Sequence, residues 1–565
     1  MPLKKSWISL PHGKILEKVK VIRNRKLTFT LLAAFGLLCF LLSAAAFLIP
    51  YLKAVSPLFK GSGKVRLVPQ IIRITAYTFE EAILSTALAA LIGIPAAYFV
   101  SKKRFFGRSI LRSFGAVPLC IPPLIVALAY ISTFGMNGIF NRSLMQVFSL
   151  KEAPFPYLYS FAGVVLTQGF YNFPLVMISV ADRWSTVDKS QENAARLLGA
   201  SSSRIFFTIT LRQIAPAIIS GCIPVFIFCF FSFMIVLLFG SVGGTTLELA
   251  IFHAGRIELD FQKVAFLSVI ETLSVLILLS LWEYAGKKSE HNDSVSLEKN
   301  YAVKKFSVKE SVFFAALIFL IAVFFVLPLL SVFISSFVSK KGALTFDTWK
   351  SLFSSRGFPS ALRNTLVCAF FTATLCTATG FFYSAFLRFS PLRKNVLARL
   401  IPILPAAVSS VTIGIGMRAA FPHGSFLMLI ASQTALSWPF AYRQIHPHVC
   451  AVPGNVIDSA RLFSKNPLDS IFRIVLPYSK RGILSAFGLS FAISSGDATL
   501  PLVLGVQGFD TLSLFTYRLA GAYRFAQASA SGLLLGFLCA LVFALSKISL
   551  KNRGKSSNAK GGNEG

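Results

Sequence analysis

Polar side chains stand inside or at the end of several long apolar stretches of this chain, among them Gln168, Glu271, Arg418, Gln433 and Asp497. Burying charge in hydrocarbon is costly, so each ionisable residue there is a candidate for contact with something that crosses the membrane. Asp497 follows Ser494, Ser495 and Gly496, Glu271 lies within an earlier run, and Arg418 ends another. A carboxylate facing a central path would attract a cation, either an organic ring cation or a metal complex. The competing reading is an Asp that pairs with an Arg or caps a helix break at Gly496. Gln168 and Gln433 each stand six residues before a proline, Pro174 and Pro439, where a weakened helix can kink. They line a path or hydrogen-bond between helices.

Other chemistries are poorly supplied. A membrane enzyme needs converging His, Asp or Glu residues at membrane depth, and this chain offers too few. A phosphate-cradling loop needs a Gly five residues before its Gly-Lys pair. Leu58 stands there for Gly63-Lys64, and Ser549 for Gly554-Lys555. The chain is therefore expected to bind no ATP itself, and if ATP drives it, another subunit hydrolyses the nucleotide. His446 and His448 form an HxH pair without an acidic or Cys partner, which does not indicate a metal. Seven of the eight Cys fall inside apolar runs and no CxxC occurs, so neither disulfides nor thiolate metal sites are expected.

The elements that must position these residues are membrane helices. The chain has 565 residues, of which 55% are hydrophobic, 57 are Phe and only 14% are charged; the mean hydropathy is +0.69. Crossing a bilayer takes ~20 consecutive apolar residues, because every backbone amide must be satisfied within its own helix. Such stretches start near residues 28, 77, 115, 157, 218 and 264, and again near 312, 362, 400, 425, 482 and 527. The expected fold is an all-α integral membrane protein of about twelve transmembrane helices in two tandem six-helix halves. The first run, Leu27 to Pro50, is too long for a signal-peptide core and is expected to remain as a membrane helix.

A formal charge of +34 suggests nucleic acid until its placement is read. With a cytoplasmic N-terminus, the inside receives Lys4 to Lys26, Lys102 to Arg112, Lys287 to Lys309, Arg388 to Arg399 and Lys547 to Lys560. That is the positive-inside pattern, with contact to anionic membrane lipid and no nucleic acid partner. One cluster runs against it: Lys53, Lys60, Lys64, Arg66 and Arg73 fall on the outer side of the first helix.

The sequence also repeats itself at an offset of 265 residues. Gln168 aligns with Gln433, Pro174 with Pro439, Ala195-Arg196-Leu197 with Ala460-Arg461-Leu462, and Thr246-Leu247 with Thr511-Leu512. A half duplicated and fused head to tail is how many transport pores are built. The expected layout is a basic cytoplasmic N-terminus (1–26), a first half (27–285), a polar cytoplasmic linker (286–311), a second half (312–550) and a disordered cytoplasmic tail (551–565).

Two segments at the repeat offset carry the most specific signal. In residues 185–218, Asp188 with Gln191 makes a plausible helix cap, Ala194, Ala195, Leu197 and Leu198 favour helix, and Gly199 is a natural stop. The small alanines let another chain approach closely. In the second copy, Asn455 with Asp458 takes the capping role, and Asn466-Pro467 opens the next helix. These segments resemble the cytoplasmic loop of permease subunits of bacterial ABC importers, whose pattern is EAA, three residues, Gly, nine residues, then I-x-L-P. The first copy reads Asn193, Ala194, Ala195, Gly199, Ile209 and Leu211, with Glu192 as its acidic neighbour and Arg212 where Pro is expected. The second reads Asp458, Ser459, Ala460, Ser464, Ile474, Leu476 and Pro477, and lacks the Gly. The stretches Ser232 to Ile270 and Ser495 to Leu535 look like the corresponding parts of fused thiamine permeases, with ferric iron permeases close; this likeness runs from about residue 75 to 548.

The resemblance implies a type I ABC importer permease fold in a bacterial inner membrane, both termini cytoplasmic. It implies two copies of an ABC ATPase docked on the two loops and an extracytoplasmic solute-binding protein that delivers the cargo. The cargo it points to first is thiamine and second ferric iron. The residues expected along the path are Gln168, Gln433, Glu271 and Asp497. An ion-coupled carrier shares the helix number and the repeat but has no need of two such loops, so dependence on an ATPase separates the readings. The charge pattern makes topology testable: single Cys residues placed at Ser190 and Asn466 should be protected from an impermeant thiol reagent in intact cells and react after lysis. Labelling from outside would reverse the assignment.

Overall fold

The computed structural model describes residues 12–60, 68–154, 156–187, 189–240, 244–290, 306–338, 344–390, 395, 398, 401–402, 404–463 and 471–560. Among them the chain is helical throughout, without a strand. The first half holds α1 (His12–Val55), α2 (Val68–Lys102), α3 (Pro123–Phe134), α4 (Ile139–Phe148), α5 (Phe161–Thr186), α6 (Lys189–Leu197), α7 (Leu211–Phe230), α8 (Phe233–Phe239), α9 (Leu247–His253) and α10 (Phe261–Glu290). The second holds α11 (Val308–Ile321), α12 (Leu327–Phe337), α13 (Phe358–Phe389), α14 (Ser410–Ala420), α15 (Phe426–Cys450), α16 (Gly454–Phe463), α17 (Leu476–Gly496), α18 (Thr499–Leu504), α19 (Leu512–Gly521) and α20 (Phe525–Lys560).

Nine spans among the described residues are long and apolar enough to cross a membrane. The other three of the expected twelve are α14, α15 and α17. At 11 residues α14 is short, while α15 and α17 carry Ser, Thr and Gln on faces buried against other helices. A helix shielded from lipid by its neighbours need not be apolar all round, which is why hydropathy alone undercounts the second half. Most of the linker, 291–305, lies outside the described residues, whereas α20 continues to Lys560, through the start of the stretch expected to be a disordered tail. Once a helix is nucleated, each further turn costs little.

The repeat is confirmed element by element, with a shift the single offset concealed. From α5 onward equivalent residues stand 265 apart; α5 matches α15, α6 matches α16 and α7 matches α17. Even the wider-wound π turns at Phe206–Thr210 and Ile471–Val475 correspond. Before α5 the offset is 287, as in Thr78 and Thr365. The cause is α4, an extra helix between α3 and α5, where the second half joins α14 to α15 through 421–425 alone.

Each half lends its first helix to the other. α1 packs on α13, α14 and α15; Phe40 stacks on Tyr383 with ring centres 5.3 Å apart, and Phe47 lies in one apolar cluster with Ile413 and Ala435. Reciprocally, α12 packs on α3. Thr133 Oγ1 donates to Ser331 Oγ at 2.8 Å, and the Tyr130 hydroxyl donates to the Phe324 carbonyl. On α11, Glu310 accepts from Lys103 Nζ at 2.7 Å and from the Tyr98 hydroxyl at 2.9 Å. The two hydrophobic halves of the sequence are thus interlocked.

Within each half two long helices, α2 with α5 and α13 with α15, cross closely at a glycine. A side chain on Gly93 would begin 2.9 Å from the Phe173 carbonyl of α5, and one on Gly380 2.9 Å from the Tyr442 amide of α15. Small residues let membrane helices reach this separation, where dispersion contacts hold them. Replacing either by Leu should destabilise the detergent-solubilised protein by about 1–3 kcal/mol, read as a lower melting temperature. Gly521→Ala, with nothing within 4 Å of the added carbon, should leave it unchanged.

Candidate translocation cavity and coupling loops

Between the halves lies a cavity of about 340 Å³, bounded by equivalent positions of the repeat. Pro118 faces it with Pro405, Ile121 with Val408, Gln168 with Gln433, and Asn172 with Ser437. Two breaks in the helices open onto it, at Phe231-Ser232 between α7 and α8 and at Asp497-Ala498 between α17 and α18.

Each break is followed by a short helix, α8 or α18, and then by a second, α9 or α19, whose first amide is capped identically in both halves. Leu247 N donates to Thr78 Oγ1 at 2.9 Å and Leu512 N to Thr365 Oγ1 at 2.6 Å. An amide left without a partner here would cost several kcal/mol, since the surroundings hold little water.

Three of the four residues expected along the path, Gln168, Gln433 and Asp497, line this cavity. Glu271 is not among the lining residues; it is fully buried on α10, and its Oε2 accepts from Thr412 Oγ1 at 3.3 Å. Asp497 is tied down at both oxygens. Oδ1 accepts from the amides of Thr499 (2.9 Å) and Leu500 (3.3 Å), capping α18, and Oδ2 accepts from Gln433 Nε2 at 3.3 Å. Gln433 Oε1 in turn accepts from Ser494 Oγ at 2.6 Å and Thr372 Oγ1 at 3.3 Å. Arg418, at the end of α14, donates to the Leu504 carbonyl at 3.4 Å.

The sequence reading missed Glu248 and Asn172, both buried and both lining the cavity. A signal for Glu248 was present: it directly follows Thr246-Leu247, a pair matched in the repeat, and its equivalent is Ser513. An acid at one copy and a hydroxyl at the other marks a position the fold does not require to be charged. Among the described residues no group of three or more His, Cys, Asp or Glu could hold a metal.

The residues of the two expected coupling loops lie on and beside α6 and α16. In the first copy α6 carries Glu192, Asn193, Ala194 and Ala195, and ends at Gly199, whose φ of +80° is readily reached without a side chain. The amide of Ala200 returns to the Ala195 carbonyl and that of Gly199 to Arg196, both at 3.0 Å, a Schellman stop. Asp188 lies outside the described residues. The loop is strapped to the next helix: Thr210 Oγ1 donates to Glu192 Oε1 at 2.8 Å, and Gln213 to Gln191 at 2.7 Å. Ile209 and Leu211 are half-buried at this seat. Leu197 and Leu198 are instead 89% and 88% exposed, an apolar tip suited to a partner's groove.

In the second copy α16 carries Asp458, Ser459 and Ala460, and Ile474, Leu476 and Pro477 lead into α17; Ser464 lies outside the described residues. Its seat is apolar. Ile457 and Val475, the equivalents of Glu192 and Thr210, are both buried in one hydrophobic cluster. The same contact is therefore a hydrogen bond in one half and packing in the other.

Comparison with known proteins agrees with this architecture. Residues 89–288 match the family described as binding-protein-dependent transport system inner membrane component. Over 490 residues the chain is 26% identical to the thiamine transport system permease protein ThiP of Brucella abortus (strain 2308), covering 83% of this chain and 86% of that one. Over 512 residues it is 23% identical to the protein of the same name from Salmonella typhimurium, covering 89% and 93%. A putative 2-aminoethylphosphonate transport system permease protein PhnU of Salmonella choleraesuis is 27% identical over 212 residues, 38% of this chain and 74% of that one. The family match and the thiamine permease relatives, which reach over most of the chain, support a fused two-half permease of a binding-protein-dependent ABC importer. The chain is a multi-pass inner-membrane subunit without enzymatic activity, and permeases of that family work with an ATPase and a binding protein.

Proposed function

We propose that this permease imports thiamine, handed over by a periplasmic or lipid-anchored binding protein and moved through the cavity between the halves. The observation that carries this reading is the reach of the thiamine permease relatives across both halves of the chain. The chemistry of the cavity supports it. Glu248 and Asp497 line it, and a cationic ring gains from a carboxylate in a poorly solvated site far more than it would in water. A phosphonate would meet the same carboxylates as repulsion.

Two ATPase copies dock, one on each cytoplasmic loop: Glu192, Asn193, Ala194, Ala195, Gly199, Ile209 and Leu211 form or support one docking surface, and Asp458, Ser459, Ala460, Ser464, Ile474, Leu476 and Pro477 the other. Both loops, the linker 286–311 and both termini face the cytoplasm. Gln168, Gln433 and Asp497 line the route, and Glu271 supports it from α10.

Two measurements test this. Uptake of labelled thiamine, in a strain that depends on this permease and carries its binding protein and ATPase, should be restored; its absence would exclude thiamine. Ala195→Glu with Ala460→Glu should abolish uptake, ten-fold or more, while leaving membrane insertion intact. Normal uptake and assembly in that double variant would show that the loops are not the docking surfaces.

A further inference from the structure

The two halves offer the cavity opposite kinds of surface. In the second half the polar groups are consumed by one another: Gln433, Ser494, Thr372 and Asp497 form a closed network. In the first half the equivalent network is looser, because Cys229 replaces Ser494: its thiol takes a 3.7 Å contact from Asn172 Nδ2 and faces the hydroxyls of Ser85 and Thr86. Asn172 Oδ1, Ser232 Oγ and Glu248 Oε2 are buried without a hydrogen-bond partner among the described residues, and the Gln168 amide, which makes no well-aligned hydrogen bond there, has the buried Glu81 carboxyl beside it. Gln168, Asn172, Ser232 and Glu248 line the cavity, and Gln168, Asn172 and Glu248 are 1–2% exposed. Unpaired polar groups are expensive in such a place, and a wall that gathers Asn172, Ser232 and Glu248 beside Gln168 is a pattern that a ligand would complete.

The acids are also exchanged between the halves. Where the second half has Asp497 and Ser513, the first has Ser232 and Glu248. Asp497 spends both oxygens on capping α18 and on Gln433, and Ser513 Oγ donates to the Asp497 carbonyl at 2.7 Å. Glu248 stands beside the start of α8, within hydrogen-bonding reach of the Phe233 amide, and keeps Oε2 unspent.

We propose that the first-half wall is an asymmetric cargo subsite in which Glu248 holds the positive charge of an organic cation and Gln168 and Asn172 hydrogen-bond its polar ring, with Asp497 fixing the opposite wall. This assignment rests on reading the cavity as the cargo path. It makes Glu248 the residue that sets selectivity for positively charged over neutral or anionic solutes.

The test uses the whole complex, permease with its ATPase and binding protein, in proteoliposomes. Thiamine import by wild type, Glu248→Gln and Glu248→Asp is measured beside labelling of Glu248 by dicyclohexylcarbodiimide, followed by mass spectrometry with and without a competing cation. Import reduced ten-fold or more in Glu248→Gln, with partial recovery in Glu248→Asp, supports the assignment. Undiminished import by Glu248→Gln overturns it and leaves thiamine as the cargo. If Glu248→Gln fails to assemble, wild-type labelling decides: slowing by thiamine supports the subsite and unchanged labelling refutes it. Should wild type import no thiamine, tetraethylammonium is the probe. Protection by it keeps the cation subsite while the thiamine reading falls, and no protection ends both.

Discussion

Inside a bilayer, a backbone N–H that leaves the helical ladder has no water to turn to, so every break in a helix has to be closed by another part of the protein. Two such breaks open onto the cavity, each followed by a short helix and then by one that re-enters the protein, and the arrangement around the cavity follows from closing these helix ends. Thr78 and Thr365 receive the first amides of the re-entering helices. Asp497 receives two more at the second break. These bonds fix where α9 and α19 sit relative to α2 and α13, and hence where Glu248 and Asp497 stand across the cavity. The exchange of α1 and α12 between the halves then keeps the two walls in register.

Much of this was legible in the residues. Apolar runs of membrane length, the repeated Gln and Pro positions and the paired cytoplasmic loops gave the helices, the duplication and the kind of transporter. Three features were hidden, each for a physical reason. The extra helix α4 breaks the repeat into two offsets, so Thr78 and Thr365 do not align when the chain is compared with itself at 265 residues. The exchange of the first helices depends on tertiary packing between apolar surfaces such as Phe40 against Tyr383, and apolar side chains do not name their partners. Asp497 drew notice because Ser and Gly precede it, while Glu248 was passed over although Gly243, Gly244 and the repeated Thr246-Leu247 precede it; its place in the cavity lining, which depends on tertiary packing, sets it apart from the other buried acids.

Duplication followed by divergence explains why the halves now differ in chemistry while keeping their geometry. At the cytoplasmic seats, Glu192 with Thr210 became Ile457 with Val475, one contact made by a hydrogen bond and the other by packing. At the cavity, one wall ties its Gln and Asp side chains into one hydrogen-bond network, and the other leaves polar groups open. A fused pair can specialise in this way because the two copies are no longer obliged to be identical, as they are in a symmetric homodimer. Motions at α6 and at α16 would therefore reach the cavity through unlike walls.

The central claim is that ATP hydrolysis on a partner subunit, and no ion gradient, moves solute through this interlocked pair of halves. Uptake into proteoliposomes holding the permease, its ATPase and its binding protein tests it directly. Uptake should require ATP on the ATPase side, stop when the ATPase is catalytically disabled, and persist after ionophores collapse the proton and sodium gradients. Uptake that follows those gradients and survives without a working ATPase would contradict the account.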